Sequence, residues 1–393
     1  MSQTPPPPEP PTQLIVFADD WGRHPSSSQH LVGQLLPGYP TLWVNTVGTR
    51  RPRLNLADLR RVWAKLRSGA RPGGAGLPEG LAVISPAMYP GFRTSWQRRF
   101  NTRQVVSCVS KATAPGRASK RVAITTLPIT ADLVGKLDVD RWVYYCVDDY
   151  SKWPGTDHAV MDAMERELVA KADAVVCVSE TLQDRIASMG RSDAALLTHG
   201  VDVDYWASPP ATSNLSPWWT RAKRPVILFW GLIDERLDLV WLDRLAAQCA
   251  SEYQVFAAGP RSASGRGAVA QVAWGDVDLI GPIAYEDLAA HAWASEVLIM
   301  PYIDAPVTRA MQPLKLKEYL ATMKPVVVRD LPSTRQWADC CDLASTAEAF
   351  VELVLERARS GVPAEQLEAR RRRLPGESWA HKAGQLADII KGG

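Results

Sequence analysis

The chain has 393 residues, 46% of them hydrophobic and 22% charged, with 45 Lys and Arg against 42 Asp and Glu. That balance excludes a largely disordered protein, and a net charge of only +3 excludes a nucleic-acid binder that works by bulk electrostatics. No apolar run approaches the roughly 18–20 residues of a spanning helix, since the longest, 226–233, contains Gly231 and stops at Asp234.

Residues 1–11 are proline-rich and are expected to be a disordered tail. They lack the basic start and apolar stretch of a secretory signal, so a cytoplasmic location is expected. From residue 12 to 205, short apolar runs at 14–17, 41–45, 81–84, 122–125, 142–147, 174–178 and 195–198 read as strands. Helical patterns lie between them at 29–36, 56–66, 96–110, 160–170 and 181–187. Continuous apolar strands separated by helices predict a parallel sheet covered on both faces. Residues 206–224, rich in Pro, Ser and Trp, have no period and read as a linker. A second α/β series follows over 225–375, with strands at 226–230, 254–258, 279–280, 297–300 and 326–328 and helices at 239–249, 285–291 and 313–320. The expected architecture is therefore α/β, with two Rossmann-like doubly wound domains facing a central cleft and a closing helix over 376–393.

Six cysteines are scattered without a C-x-x-C pair, which argues against a zinc site or disulfide framework, and Cys146 and Cys177, inside apolar runs, read as buried thiols. Charge is uneven. Between Arg50 and Arg121 there are 16 Lys and Arg against only Asp58 and Glu79, with Trp63, Phe92, Trp96 and Phe100 among them. Two readings stand: the solvated faces of two helices, or a surface that docks on an anionic membrane or lipid phosphate.

Open α/β sheets bind ligands beyond the carboxyl ends of their strands, so the informative residues follow strands. After the first strand, residues 18–30 form a polar loop with one glycine, Gly22, then Ser26–Ser28 as helix caps, then His30. No G-x-G-x-x-G is present, which argues against a dinucleotide site. After the fifth strand come Asp148 and Asp149, a pair of adjacent carboxylates. The strongest signal follows the strand ending at Met300: a loop through Asp304, Thr308, Arg309 and Gln312, then a helix that opens Pro313-Leu314-Lys315. The free N–H groups of its first turn form an anion site that Arg309 and Lys315 reinforce. Glu318, one turn on, suits a ribose diol, so a nucleotide bearing phosphates and a sugar is the predicted ligand. Three D-x-D strings, at 138–140, 202–204 and 276–278, lie in turns and are read as chance matches, so no metal is expected.

The sequence resembles GT-B glycosyltransferases of the group 1, or family 4, type. Ala172-Asp173-Ala174-Val175-Val176-Cys177-Val178-Ser179 resembles a strand-and-helix motif of that family, and His199-Gly200-Val201-Asp202 its (N/H)GVD string. The stretch 313–325, PLKLKEYLATMKP, resembles its P-x-K-x-x-EYLA-x-G-x-P signature. The loop HPSSSQHL and the strand VYYCVDDY resemble enzymes of surface-polysaccharide synthesis. The resemblance implies a nucleoside diphosphate sugar held by the second domain and a glycan or lipid-linked acceptor held by the first. It implies Glu318 on the ribose, the backbone of Leu314 and Lys315 on the diphosphate, Gly22 near the leaving phosphate, and the closing helix crossing back to the first domain. Retention of configuration is expected, without cofactor or metal. Should the reaction invert, Asp148, Asp149 or His30 is the candidate base.

Three departures qualify that pattern. Ala310 stands where many members of the family have Glu, which leaves Asp304 or Thr308 to contact the donor sugar. Arg236 stands without its usual Lys, and Met323 replaces a Gly before Lys324-Pro325. A sugar-nucleotide epimerase of the same fold, or a non-catalytic scaffold, is the alternative reading.

Overall fold

The computed structural model describes residues 12–22, 26–46, 76–113, 120–152, 156–208, 215–261, 276–311 and 314–392. The expected helix over 56–66 and much of the basic stretch lie outside them, as do His24, Gln312 and the side chain of Ala310. The chain divides into two compact units, Met1–Thr198 with Lys382–Gly393, and His199–His381.

In the first unit the elements run β1 (Gln13–Ala18), α1 (Ser27–Leu35), β2 (Thr41–Asn45), β3 (Leu81–Ile84), α2 (Ser95–Ala112), β4 (Arg121–Thr125), β5 (Arg141–Cys146), α3 (His158–Lys171), β6 (Ala174–Cys177), α4 (Glu180–Ala187) and β7 (Ala195–Leu196). The seven strands are all parallel, in the order β3-β2-β1-β4-β5-β6-β7. This order reverses direction at β1 and β4, the switch point where such sheets place ligands. The core joins Ile15, Phe17, Leu42 and Val44 to Val105 and Val109 of α2. Helix α1 starts where Ser26 Oγ accepts from the Gln29 amide, the cap expected from the serine run.

The second unit begins with two short helices, α5 (Val203–Ala207) and α6 (Pro217–Thr220). It continues with β8 (Val226–Trp230), α7 (Leu239–Cys249), β9 (Gln254–Ala258), β10 (Val277–Gly281), α8 (Tyr285–Trp293), β11 (Val297–Met300), α9 (Pro306–Ala310), α10 (Leu314–Ala321) and β12 (Val326–Arg329). Then come α11 (Pro332–Arg335), β13 (Asp342–Ala344), α12 (Ala347–Ser360), α13 (Ala364–Arg373) and α14 (Trp379–Lys391), whose last turns belong to the first unit. Six parallel strands follow the order β10-β9-β8-β11-β12-β13. Every residue of β8 is buried, as a central strand covered on both faces requires.

The described residues of 206–224, a stretch expected to be a linker, are part of this unit instead. Trp206 is 0% exposed and stacks on Trp230 at 5.5 Å, and Trp219 packs edge-on against Phe256. The absence of periodicity hid two anchors that act singly rather than as a repeating face. The unit starts earlier than residue 206 for the same reason: Val201 is buried and its amide donates to the Glu377 carbonyl. Strand β13 was not foreseen, being only three residues long with one fully buried.

Candidate functional site

The best-formed candidate in the second unit is built on two glycines at the carboxyl ends of β8 and β9. The Gly231 amide donates to the Ala258 carbonyl, and the Gly259 amide to that of Gly281. Gly259 has φ +147°, and a Cβ there would lie 1.7 Å from the Gly231 oxygen. Two backbones thus touch where no side chain could intervene. A Cβ on Gly231 would sit 3.5 Å from Cδ of Lys315, so the lysine stem of α10 lies over this junction.

Glu318, on the next turn of α10, is 7% exposed. Its Oε2 accepts one hydrogen bond, a long one of 3.5 Å from Trp230 Nε1. Burial raises its carboxyl above the usual range, opposed by the Lys315 ammonium and the Trp230 indole. The neighbouring Tyr319 fixes the setting: its hydroxyl accepts from the Trp230 amide and donates to the Trp230 carbonyl, both at 3.0 Å. Strand β8 and helix α10 are thereby clamped at the point where Glu318 emerges. Tyr205 and Tyr285 stack at 5.6 Å close by, and both phenols feel the Glu318 charge.

The other residues expected to hold the donor divide. Leu314 opens α10, whose first N–H groups have no partner within the helix itself. Arg236 lies on the loop after β8, bound to both oxygens of Asp234 at 3.0 Å and 5.9 Å from the Tyr302 ring centre. Arg309 is exposed and grips Asp304 with two nitrogens, at 2.5 and 2.7 Å. Thr308 corrects the expectation of a sugar contact. It is 0% exposed, and its hydroxyl caps α9 by accepting from the Ala305 amide at 3.0 Å, so it cannot touch a ligand. Lys317, to which no ligand role was assigned, is internal, bonded to the Glu377 carboxylate and the His199 carbonyl. His199 is kept neutral, its pKa pushed down to about 3 by burial and by Lys317.

In the first unit, Gly22 (φ +76°) follows β1 and its amide donates to Gln29 Oε1 at 3.1 Å. His30 lies in the first turn of α1, half-buried. Asp148 and Asp149 follow β5 but differ. Asp148 is half-buried and acts on the buried Tyr150 phenol together with Asp19, which brings the ends of β1 and β5 to one place. Asp149 serves structure: its Oδ1 accepts from the Ser151 amide and hydroxyl, and Oδ2 lies 3.0 Å from Lys152 Nζ and 3.3 Å from Arg185 Nε. Burial pushes its carboxyl up, but Ser151, Lys152 and Arg185 outweigh that and hold it below the usual range. A carboxylate so held is a weaker base than an unpaired one. Beneath it Arg185 also meets Asp162 and the fully buried Glu165, which in turn accepts from Tyr144 Oη at 2.6 Å.

The D-x-D strings serve local structure. Asp138 and Asp140 both engage Arg121, Asp202 caps α5, and Asp278 accepts from Gln254. Among the described residues no group of three or more potential ligands could hold a metal ion. Sequence reasoning missed Gly259, Tyr319 and Asp234. A glycine directly after the apolar run 254–258, and the tyrosine beside Glu318, were the available signals.

No family model matches the chain. In sequence it is 27% identical over 180 residues to a Bacillus subtilis (strain 168) protein, TuaH, named as a teichuronic acid biosynthesis glycosyltransferase. The match spans 44% of this chain and 45% of that one, so it covers less than half of the relative. Similarity to solved structures extends over nearly the whole chain. HepE of Anabaena, in complex with UDP and glucose, superposes with a TM-score of 0.67 at 12% identity, covering 96% of this chain and 99% of that one. The E. coli structure described as trehalose-6-phosphate bound with UDP-2-fluoro glucose gives 0.65 at 12%, with the same coverage. Sucrose-phosphate synthase of Thermosynechococcus elongatus gives 0.65 at 14%, covering 97% and 98%. The fold is that of the GT-B glycosyltransferases.

Proposed function

We propose that the protein is a glycosyltransferase that moves a sugar from a nucleoside diphosphate sugar to a hydroxyl of a glycan or lipid-linked acceptor. The observation that carries this reading is Glu318, a buried carboxylate with a single long hydrogen bond. Such a group lacks the donors that burial calls for, and the two hydroxyls of a ribose diol supply them. Lys315 and the free amides at the start of α10 stand one turn away, where the adjoining diphosphate would lie. Gly231 and Gly259 leave the backbone bare for close approach. The shared fold with UDP-bound structures supports UDP as the first nucleotide to try.

In this reaction the bond from the anomeric carbon to the diphosphate breaks while the acceptor oxygen bonds to that carbon. Negative charge grows on the leaving diphosphate, where Lys315 and the helix amides stabilise it without a metal. In the retaining course the departing phosphate takes the acceptor's proton. In an inverting course Asp148 is the better base, because Asp149 is held in ion pairs. The same reading places the protein in the cytoplasm, peripheral at the inner face of the membrane.

The non-catalytic alternative has one observation in its favour, since Arg236 and Arg309 are each neutralised by a carboxylate. A thermal-shift panel of nucleoside diphosphate sugars, followed by an assay of nucleotide release with and without acceptor, separates the readings. One donor should stabilise the protein, and Glu318→Ala should weaken its binding at least tenfold. Absence of binding by every donor, or an unchanged Glu318→Ala variant, would sink the proposal. Release without acceptor at full rate identifies the epimerase, and binding without release the scaffold.

A further inference from the structure

The described residues include seven exposed large apolar side chains, and three of them gather on and beside α2: Tyr89 at 40%, Trp96 at 56% and Phe100 at 41% exposure. Tyr89 meets Trp96 edge-on at 4.9 Å. Trp96, Arg99, Phe100 and Arg103 recur at helical spacing on one exposed face, interleaving two aromatic rings with two guanidinium groups. Lys111 continues the charge in the last turn, and Arg93 precedes the helix, 68% exposed although paired with Asp157. The opposite face carries the buried Asn101, Thr102, Val105 and Val109, so the helix is already anchored without its outer residues.

The charge on this face is one-sided. No acidic residue occurs between Glu79 and Asp132. Asp132 and Glu167 are both taken by Arg98 on the inner flank, and Asp157 by Arg93. Among the described residues, Arg99 and Arg103 enter no ion pair.

We infer that this face of α2 is a docking surface for an anionic lipid bilayer, with Trp96 and Phe100 entering the headgroup boundary and Arg99 and Arg103 meeting lipid phosphates. The inference deepens the lipid-linked acceptor reading and rests on it for its purpose. Aromatic rings standing out among cations gain most where an apolar phase lies directly beneath a layer of negative charge, which a bilayer provides and an acidic protein surface or a nucleic acid does not. Tryptophan and tyrosine favour that boundary because their rings are apolar with one polar edge. Among the described residues no helix is long and apolar enough to cross a membrane.

The test is co-sedimentation of the full chain with vesicles of phosphatidylcholine alone or with 30% phosphatidylglycerol, at low and high salt. Wild type should bind the anionic vesicles at least tenfold more tightly than the neutral ones, and lose that preference in high salt. Arg99→Ala with Arg103→Ala should weaken binding about thirtyfold, following about 1 kcal/mol for each cation near the surface. Trp96→Ala with Phe100→Ala should weaken it at least tenfold. All four side chains are exposed, so both double variants should melt within a few degrees of wild type and retain the donor-induced thermal shift. Equal binding to both vesicle types, wild-type affinity in either double variant, or binding to an acidic protein or nucleic acid in place of vesicles would overturn the inference. Loss of the donor shift with vesicle binding intact would instead count against the glycosyltransferase reading alone.

Discussion

Glu318 combines two costs that a ligand would relieve: burial of a carboxylate and lack of hydrogen-bond donors. Its folded-state pKa lies above the usual value, because burial outweighs Lys315 and Trp230. The native state is therefore favoured by protonation, and the stability linked to this group falls as pH rises from the ordinary carboxylate range through the raised value. Glu318→Gln keeps the shape and removes the charge. It should match wild type in acid and become more stable by about 1 kcal/mol at pH 7, while losing donor binding. Thermal melts from pH 4 to 8 check the first part, and a wild type that stays the more stable at pH 7 would refute it. Met323 is a simpler case. It stands at φ +57° just past α10, where the related motif has glycine, and a side chain there costs about 1 kcal/mol. Met323→Gly should recover most of that in a denaturant titration, and a destabilised variant would mean that the thioether packs better than the backbone strains.

At the scale of elements, the candidate site depends on how closely β8, β9 and α10 approach one another. Gly259 and Gly231 set that distance, and Tyr319 closes it with two hydrogen bonds to Trp230. Gly259→Ala should be destabilising by at least about 3 kcal/mol, since its Cβ would overlap a backbone oxygen that cannot retreat without parting the strands. A soluble variant with an unchanged melting curve would contradict this. In the first unit the network under Asp149 plays the corresponding part. Arg185 links α4 to Asp149, Asp162 and Glu165, and Glu165 is fully buried. Arg185→Ala leaves that carboxylate without its cation and should cost about 3–5 kcal/mol. Arg185→Lys should recover part of the loss, because an ammonium meets fewer partners than a planar guanidinium.

On the scale of the molecule, each unit has its own sheet and core, with the candidate donor groups in the second unit and the α2 docking face in the first. A donor at about 100 times its Kd adds about 2.7 kcal/mol to the state that binds it. Calorimetry should show that gain in the transition of His199–His381, and Glu318→Ala should cut it to about half or less. A donor that shifts only the other transition would move the site to the first unit.

Strands 14–17, 41–45, 122–125, 226–230, 254–258, 297–300 and 326–328 were legible in the sequence because central parallel strands are buried on both faces, leaving uninterrupted apolar runs. Helix α10 and Glu318 were legible because a proline, a cationic first turn and an acid followed a strand in fixed order. Three matters were decided only by tertiary contacts. Trp206 and Trp219 made a core of an apparent linker, because a single large ring needs no periodicity to anchor a segment. Thr308 reads as a sugar contact and Asp149 as a base in the sequence, yet packing buries Thr308 over its local cap, and Arg185, distant in the chain, pairs with Asp149. Finally, two glycines 28 positions apart define the bare backbone beside Lys315, a fact of packing distance that no local pattern encodes.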